Sequence, residues 1–436
     1  MADFIEPKVL KGFRDFLPPA EIARRALLEQ IEGHFRSYGF VPIDTPALEY
    51  TEVLLGKGGG ETEKQIYRFN DNGGRDVALR FDLTVPFARF LAEHRAELTF
   101  PFKRYHIAKV WRGENTQRGR YREFTQCDMD IVGSDSAAAD FEILHIMAKT
   151  LPAISGSEVI IRLNHRGLFN TFLSKLGVLD QSVNILRTVD KLTKIGRDET
   201  AELLAQFVGE SNAGKILTYI EIKGNFSDTL AAMTDAAGTC PEAERLGLIQ
   251  KFISDSGIAE NSVALDPSIT RGLDYYTGVV FESFLADMPS IGSICSGGRY
   301  DNLVALYSTD KRSPLKGVGT SIGIDRLIAG LESLGRLHTV QSYAAVAVAC
   351  VSESSAGACQ NIAETLRKQG IPCEVFLDAG KLAAQFQMAE KKGLRWVIIP
   401  SAENPLTSPL TLRNLATREN RENLSLEAVL AALKQA

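Results

Sequence analysis

Residues 111–130 of this chain are Trp111-Arg-Gly-Glu-Asn-Thr-Gln-Arg-Gly-Arg-Tyr-Arg-Glu-Phe-Thr-Gln-Cys-Asp-Met-Asp130, and their pattern predicts a strand, a loop and a second strand. The predicted loop covers residues 113–122. The loop and the residue before it carry four arginines: Arg112, Arg118, Arg120 and Arg122. Guanidinium groups at this density, with few carboxylates between them, suit bidentate binding of phosphate.

Two kinds of side chain alternate along the second predicted strand. One face carries Cys127, Met129 and Ile131, and the other carries Phe124, Gln126, Asp128 and Asp130. The polar face is either a solvated sheet surface or the floor of a pocket beside the arginine loop. This segment alone favours neither interpretation.

Two other segments are candidates for such a pocket. Asp82 and Thr84 lie two residues apart before Pro86, where they would bind a ligand ammonium or cap a helix that starts near Pro86. Gly317-Val-Gly-Thr-Ser-Ile-Gly-Ile-Asp-Arg326 predicts a strand of small residues that leads into a helix. Arg326 in the first turn would oppose the helix dipole, so it is either an ordinary surface arginine or the partner of an anionic ligand.

The segment Arg271-Gly-Leu-Asp-Tyr-Tyr-Thr-Gly278 combines a permanent positive charge with a tyrosine pair, before the apolar run 279–281. A strand in a core gains nothing from that combination. A site that holds a polyanion beside a small polar ring would need both. The glycine-rich turn at residues 295–301 adds only a weak signal.

Length and composition narrow the class of protein. A chain of 436 residues predicts two or three domains, and the net charge of −5 argues against indiscriminate polyanion binding without excluding a local basic face. The six cysteines show no metal-ligand spacing and the six histidines show no HxH or HExxH pattern, so we expect reduced thiols, no protein-bound metal and a cytoplasmic location. No segment has the length of a membrane span.

The sequence patterns predict an α+β chain with five parts. Residues 40–132 and 275–305 have strand character, residues 172–260 have helical composition, and the final part alternates apolar runs with helices in a β-α-β order typical of a parallel α/β domain. The predicted parts are 1–171 and 261–335 (two halves of a catalytic domain), 172–260 (helical insertion), 336–342 (linker) and 343–436 (C-terminal domain).

Taken in order, these segments resemble the three motifs of a class II aminoacyl-tRNA synthetase, and the blocks at 271–278 and 296–301 resemble the pair peculiar to the histidyl-tRNA synthetase family. The resemblance starts at Gly12-Phe-Arg-Asp-Phe-Leu-Pro18 and covers nearly the whole chain. It implies an antiparallel sheet flanked by helices, a C-terminal anticodon-binding domain and a homodimer. Aspartates at 82 and 130, where many bacterial members have glutamate, resemble the eukaryote-like branch.

The resemblance also implies substrates and residue roles. The substrates are L-histidine, ATP with Mg²⁺ and a histidine tRNA, joined through a histidyl-adenylate. The implied histidine-binding residues are Asp82, Leu83, Thr84, Arg112, Gln126, Asp130, Arg271, Tyr275 and Tyr276. The implied ATP-binding residues are Arg112, Glu114, Arg120 and Arg326, and the implied catalytic residues are Arg271 and Arg112.

One alternative belongs to a different functional class. A catalytically inactive paralogue of this family serves as the regulatory subunit of ATP phosphoribosyltransferase and binds histidine without ligating it. Such a paralogue typically lacks the C-terminal domain and has an eroded form of the Arg271 block. This chain keeps both, so the sequence favours the ligase.

Overall fold

The computed structural model describes residues 4–56, 61–269, 275–308, 314–401 and 409–435. The strands in this part of the chain are β1 Val41–Pro42, β2 Leu48–Tyr50, β3 Tyr67–Asn70, β4 Asp76–Leu79, β5 Phe102–Trp111, β6 Glu123–Val132, β7 Val159–His165, β8 Val263–Leu265, β9 Val279–Leu285, β10 Cys295–Tyr300, β11 Gly317–Gly323, β12 Val346–Val348, β13 Cys373–Val375, β14 Trp396–Ile399, β15 Leu410–Asn414 and β16 Asn420–Leu424.

The helices in the same residues are α1 Pro18–Ser37, α2 Thr51–Leu55, α3 Thr84–Glu93, α4 Ala137–Ser155, α5 Arg166–Lys175, α6 Ser182–Val189, α7 Leu192–Ile195, α8 Arg197–Val208, α9 Glu210–Ile220, α10 Phe226–Ala237, α11 Pro241–Asp255, α12 Ile324–Ser333, α13 Ala356–Lys368, α14 Leu382–Lys391 and α15 Leu426–Lys434. Residues 1–14 and 27–337 form one compact unit, and residues 15–26 group with 338–436 in a second. The sequence patterns gave no signal for the separate grouping of residues 15–26.

The first unit is built on an eight-stranded sheet with the order β1-β5-β6-β11-β10-β9-β7-β8. Its central pairs are antiparallel, and only the outer pairs β1–β5 and β7–β8 are parallel among the described residues. The predicted antiparallel sheet flanked by helices is therefore confirmed. A smaller sheet, β2-β4-β3, includes the β3–β4 hairpin, with Asn72-Gly73-Gly74 between its two strands.

The strand-loop-strand pattern predicted at residues 111–130 is the β5–β6 hairpin, in which Trp111 pairs with Glu123. Cys127, Met129 and Ile131 enter the main hydrophobic core of the unit, packed among helices such as α4. The opposite face of β6 is therefore left for polar side chains.

Helix α3 begins at Thr84, two residues before the predicted start at Pro86. The reason is local, because the Asp82 side chain accepts a hydrogen bond from the backbone N–H of Val85 at 3.1 Å. Asp82, one residue before the N-cap Leu83, thus satisfies a backbone N–H in the first turn of the helix.

Helices α5 to α11 occupy the chain between β7 and β8, where the sequence predicts a helical insertion. Their buried residues, among them Leu204, Ile216 and Leu246, belong to the same hydrophobic core as the large sheet. Asn225 starts α10 as an N-cap, accepting a hydrogen bond from the N–H of Asp228.

The C-terminal part of the second unit contains a five-stranded sheet with the order β13-β12-β14-β15-β16. The pairs of β12 with β13 and β14 are parallel, as predicted, but β14–β15 and β15–β16 are antiparallel. The sheet is therefore mixed. Its two cores draw only on residues from 344 onwards.

In the described ranges, no helix is long and apolar enough to cross a membrane.

Candidate active site

Three neighbouring strands, β6, β11 and β10, form the floor of a cleft in the first unit. Asp130, Asp128 and Gln126 of β6 lie opposite Gly319, Ser321 and Gly323 of β11. Opposite residues of an antiparallel pair share a face, so the small residues of β11 leave space above the carboxylates. This explains the small-residue strand noted in the sequence.

Gly319 leaves no room for a side chain, because an added Cβ would lie 2.0 Å from Asp130 Oδ1 and 2.7 Å from the backbone oxygen of Met129. Gly319→Ala is therefore expected to displace Asp130 and to cost about 1–3 kcal/mol of unfolding free energy through overpacking. Gly323 is the matched control on the same strand, since a Cβ there would lie 3.8 Å from its nearest neighbour. Chemical denaturation of the two variants measures the difference, and an equal cost at both positions would contradict the account.

Two adjoining cavities occupy the cleft. The carboxylate cavity includes Thr84, Asp128, Asp130, Tyr275 and Tyr276 in its lining. The arginine cavity includes Glu114, Gly119, Tyr121, Phe124 and Asp325. The residues that line both are Arg112, Arg120, Gln126, Ser293, Ser296, Ser321 and Arg326. Because so much of the lining is shared, the two cavities are the two ends of one cleft.

Asp82 and Gln126 carry side-chain oxygens that can accept hydrogen bonds from a ligand. Tyr275 donates its hydroxyl proton to Asp82 at 3.0 Å. Burial raises the pKa of Asp82 to about 6, against the lowering influence of the Val85 N–H, Arg112 and Tyr275. Gln126 donates to Ser321 at 2.7 Å, and its buried Oε1 has no hydrogen-bond partner in the described part of the chain. Asp82 and Gln126 together offer oxygen acceptors suited to an ammonium group.

Asp130 is the most constrained carboxylate in the carboxylate cavity. Tyr300 donates to its Oδ1 at 2.6 Å, and Nη2 of Arg104 lies 2.7 Å from its Oδ2. Tyr276, which the family resemblance assigns to histidine binding together with Asp130, lines the same cavity. Leu83 differs from the other predicted residues, because it is fully buried in the protein and does not line the cavity.

Asp128 is a cavity residue that the sequence analysis did not select, although it shares the polar face of β6 with Gln126 and Asp130. Burial raises its pKa to about 7, with the charge of Arg104 acting in the opposite direction. The period-two alternation was the signal that would have found it. Tyr300 and Arg104 carried no such signal, since their contacts come from other strands.

The other end of the cleft is basic. Arg112 donates from Nε to the Phe81 carbonyl at 2.8 Å, and its guanidinium lies 5.1 Å from the centre of the Phe124 ring. Arg120 donates to Glu114 at 3.1 Å. Arg326 donates to the Ser293 carbonyl at 2.5 Å. These contacts use part of each guanidinium, and all three arginines line both cavities.

The N-terminal segment supports the basic end, a role the sequence analysis did not assign. The Arg14 guanidinium lies 4.0 Å from the centre of the Tyr121 ring and forms an ion pair with Asp325 in the first turn of α12. Asp325 in turn accepts the backbone N–H of Thr125 at 2.9 Å. Arg14 therefore ties the arginine loop, β6 and the start of α12 together.

The structure thus brings nearly all the predicted site residues to one cleft. Predicted residues in its lining are Thr84, Arg112, Glu114, Arg120, Gln126, Asp130, Tyr275, Tyr276 and Arg326. Asp82 contacts the cleft through Tyr275. Arg271 lies outside the described residues. In the described ranges, no group of three or more His, Cys, Asp or Glu side chains could hold a metal ion.

An antiparallel sheet with an arginine-lined cleft of this kind, joined to a C-terminal mixed-sheet domain, defines a class II aminoacyl-tRNA synthetase. Residues 12–327 match the family model for histidyl-tRNA synthetase, and residues 345–436 match the model for an anticodon binding domain. The histidine–tRNA ligase of Treponema denticola is 51% identical, with 98% of each chain covered. The chain belongs to the histidyl-tRNA synthetase family.

Solved structures agree with this assignment. The crystal structure of histidyl-tRNA synthetase from Nostoc sp. PCC 7120 has a TM-score of 0.85 and 32% identity, covering 99% of this chain and 100% of that one. A Bacillus halodurans structure described as an ATP phosphoribosyltransferase regulatory subunit/histidyl-tRNA synthetase has a TM-score of 0.74 and 22% identity, over 92% of this chain and 100% of that one. At that identity the second likeness concerns the fold alone.

Proposed function

We propose that this chain ligates L-histidine to its tRNA in two steps. In the first, a carboxylate oxygen of histidine attacks the α-phosphorus of ATP, and pyrophosphate leaves with the electrons of the broken P–O bond. In the second, a terminal ribose hydroxyl of the tRNA attacks the histidyl carbonyl, and AMP leaves. The observation that carries this proposal is the single cleft in which Asp128 and Asp130 line one cavity and three arginines line both.

Histidine fits the carboxylate end. Its ammonium would bind Asp82, Thr84 and Gln126, whose buried Oε1 lacks a partner among the described residues. The neutral imidazole offers one donor and one acceptor, which Asp130 and Tyr276 would satisfy. A cavity that leaves buried polar groups unpaired with other amino acids discriminates strongly against them.

ATP fits the basic end. Arg112 would hold the α-phosphate and the histidine carboxylate, because it lines both cavities. Arg326, Arg120 and Glu114 would bind the rest of the nucleotide, and Arg271 would supply a further cation at the reacting phosphate. Charge stabilisation and positioning then account for the rate, since no covalent step falls to the protein.

Mg²⁺ fits this site only as an ion carried by the ATP phosphates. The described residues include no side-chain cluster able to hold it alone, and Glu114, Asp325 and Glu282 are acidic side chains that line the cleft together with its arginines. Mg²⁺ commonly binds substrate phosphates with one or two carboxylates. Bound there, it would neutralise phosphate charge.

We also propose a homodimer in the cytoplasm. The resemblance implies a dimer formed partly through the first motif, where Val41 of β1 is 47% exposed and nearby Tyr50 is 49% exposed. Exposed apolar residues at a sheet edge favour a partner. The six cysteines are all free, which fits a reducing compartment.

The C-terminal domain is the proposed tRNA anticodon binder. Among its basic residues, Lys392 is paired with Glu374 at 2.7 Å. Arg395 and Arg421 lie 5.7 and 5.8 Å from the centre of the Trp396 ring, and Arg413 lies 4.6 Å from that of Phe386. Arginines beside aromatic rings suit single-stranded RNA.

Removal of residues 343–436 is expected to lower tRNA charging at least about 100-fold, because it removes one of two linked tRNA-binding modules. Histidine-dependent pyrophosphate exchange should change less than about threefold, since the cores of the C-terminal sheet include no residue of the cleft. Charging is measured with radioactive histidine and transcribed tRNA. Equal losses in both assays would refute the assigned role of the domain.

The regulatory alternative has less support. The C-terminal anticodon-binding match at residues 345–436 and the full-length histidine–tRNA ligase relatives both favour the ligase. Formation of histidyl-tRNA from histidine, ATP and tRNA by the purified chain tests the proposal directly. Histidine binding without product would favour the regulatory protein.

A further inference from the structure

Arg104 is a fully buried arginine beneath the carboxylate cavity, with 0% of its surface exposed. It lies on β5 directly opposite Asp130 on β6. Its Nη2 is 2.7 Å from Asp130 Oδ2, and its guanidinium lies 4.0 Å from the centre of the Phe87 ring. Its Nε and Nη1 have no hydrogen-bond partner within the described ranges.

Such a guanidinium is costly to the fold. A buried ion pair must repay the desolvation of both charges, and replacing one with apolar residues of similar size is often neutral or stabilising. Two of the nitrogens of Arg104 are also buried without hydrogen bonds. Stability alone therefore does not explain an arginine here, while the position of Asp130 in the cavity lining suggests a role in binding.

Several titratable groups surround Asp130, from each element packed against it. They are Arg104 on β5, Asp128 on β6, Tyr300 on β10, Tyr276 in the segment before β9, and Asp82 before α3. His106, next along the same face of β5, has its pKa lowered to about 4 by burial and is neutral. Arg104 is thus the buried cation among three carboxyl groups.

Burial and the arginine act on Asp130 in opposite directions. Burial is the larger influence and leaves the pKa of Asp130 above its ordinary value, while Arg104 and then Tyr300 oppose that rise. Asp128 has the same burial without a paired guanidinium, and its pKa rises to about 7. The geometry therefore separates two neighbouring carboxyl groups, one paired with Arg104 and one that titrates near neutrality.

We propose that Arg104 is a positioning residue for histidine recognition, which fixes the Asp130 carboxylate in place and keeps it ionised as the acceptor for an imidazole N–H. This inference rests on the proposed binding of histidine in the carboxylate cavity. It adds to that proposal the reason why Asp130, rather than Asp128, is the acceptor at neutral pH. Arg104 itself does not line the cavity.

The test is the pH dependence of KM for histidine in pyrophosphate exchange by the full-length protein, with Arg104→Met compared to wild type. Loss of the cation raises the pKa of Asp130, so its acceptor is present above that pKa and lost as the pH falls through it. At pH 6.5 the KM of Arg104→Met should be about 10- to 100-fold higher than that of wild type, which corresponds to the loss of one hydrogen bond to a charged group. The ratio of the two KM values should fall as the pH rises to 9. The ratio cancels the titration of free histidine, and measuring both proteins with Asp128→Asn in addition removes the effect of Arg104 on the pKa of Asp128.

Two further variants separate positioning from structure. The KM for histidine of Arg104→Met/Asp130→Asn should equal that of Asp130→Asn at every pH. The amide introduced at position 130 cannot titrate, and Arg104 is proposed to act on histidine only through residue 130. Arg104→Lys retains a cation, so its KM ratio to wild type should not vary with pH. The kcat of exchange should stay within about threefold of wild type in Arg104→Met, since the basic end is unchanged. A pH-independent ratio, or additive effects in the double variant, would overturn the proposal.

A second measurement does not depend on catalysis or on the folding of Arg104→Met. In wild-type protein with ¹³C-labelled aspartate carboxyl groups, Asp130 is assigned by comparison with Asp130→Asn. Its carboxyl resonance should remain that of an ionised group from pH 6 to 8. Titration of Asp130 near pH 7 would refute the role of Arg104 even if the ligase activity is present, and the absence of exchange in the wild type would concern only the proposed function.

Discussion

Replacement of Arg112 by alanine is expected to lower kcat for histidine-dependent pyrophosphate exchange by about 1,000-fold, or about 4 kcal/mol of transition-state stabilisation. Arg112 lines both cavities, and its Nε bond to the Phe81 carbonyl fixes the guanidinium between them. Arg120 and Arg326 also line both cavities, but of these three arginines the family resemblance assigns only Arg112 to both histidine and ATP, at the α-phosphate where charge develops. Single-turnover formation of histidyl-adenylate measures the effect without product release.

Two further variants show whether the loss of kcat in Arg112→Ala comes from the guanidinium of Arg112. Arg112→Lys keeps the charge but not the planar fork, so an intermediate loss is expected. Lys109→Ala removes a cation from the exposed side of the same strand, where Lys109 pairs with Glu123, and should leave exchange near the wild-type rate. A loss below about tenfold in Arg112→Ala would contradict the assigned role.

Arg271→Ala is expected to reduce exchange at least as much, below about one-thousandth of the wild-type kcat. This prediction comes from the family resemblance and from the tyrosines that follow Arg271, since residue 271 lies outside the described residues. Tyr275 contacts Asp82, and Tyr276 lines the cavity with Asp130. A cation on this segment would act at the junction of histidine and the α-phosphate.

Histidine binding separates the two possible roles of Arg271. If Arg271 acts mainly in the transition state, calorimetric Kd values for histidine should rise no more than about tenfold while exchange is lost. Arg166→Ala is unsuitable as a control, because Arg166 donates to the Tyr276 carbonyl at 2.8 Å. Arg197, which pairs with Glu221 at 2.9 Å in the helices between β7 and β8, is suitable. Parallel losses of binding and exchange would assign Arg271 to ground-state binding.

Local patterns were sufficient for the central hairpin. The period-two alternation at 124–131 separated the two faces of β6, because strand geometry fixes them, but it did not decide whether the polar face is solvated or lines a pocket. The small residues at 317–323 located β11, and the contacts of Gly319 now explain why this strand carries small side chains. In the C-terminal domain the apolar runs located β12, β13 and β14.

Long-range packing accounts for what the sequence did not predict. Tyr300 donates a hydrogen bond to Asp130, which lies 170 positions earlier in the chain, and Arg14 donates to Asp325, which lies 311 positions later. No local period encodes such pairs. Strand β16 was missed because Asn420–Leu424 is mostly polar and exposed, so it lacks the apolar alternation of a half-buried strand.

The most direct test of the account is pyrophosphate exchange into ATP with each of the twenty amino acids, using well-folded full-length protein. The account predicts exchange with histidine and at least about 10,000-fold less with leucine or phenylalanine, whose side chains offer no N–H to Asp130 and no acceptor to Tyr276. Absence of histidine-dependent exchange, or comparable exchange with another amino acid, would contradict it.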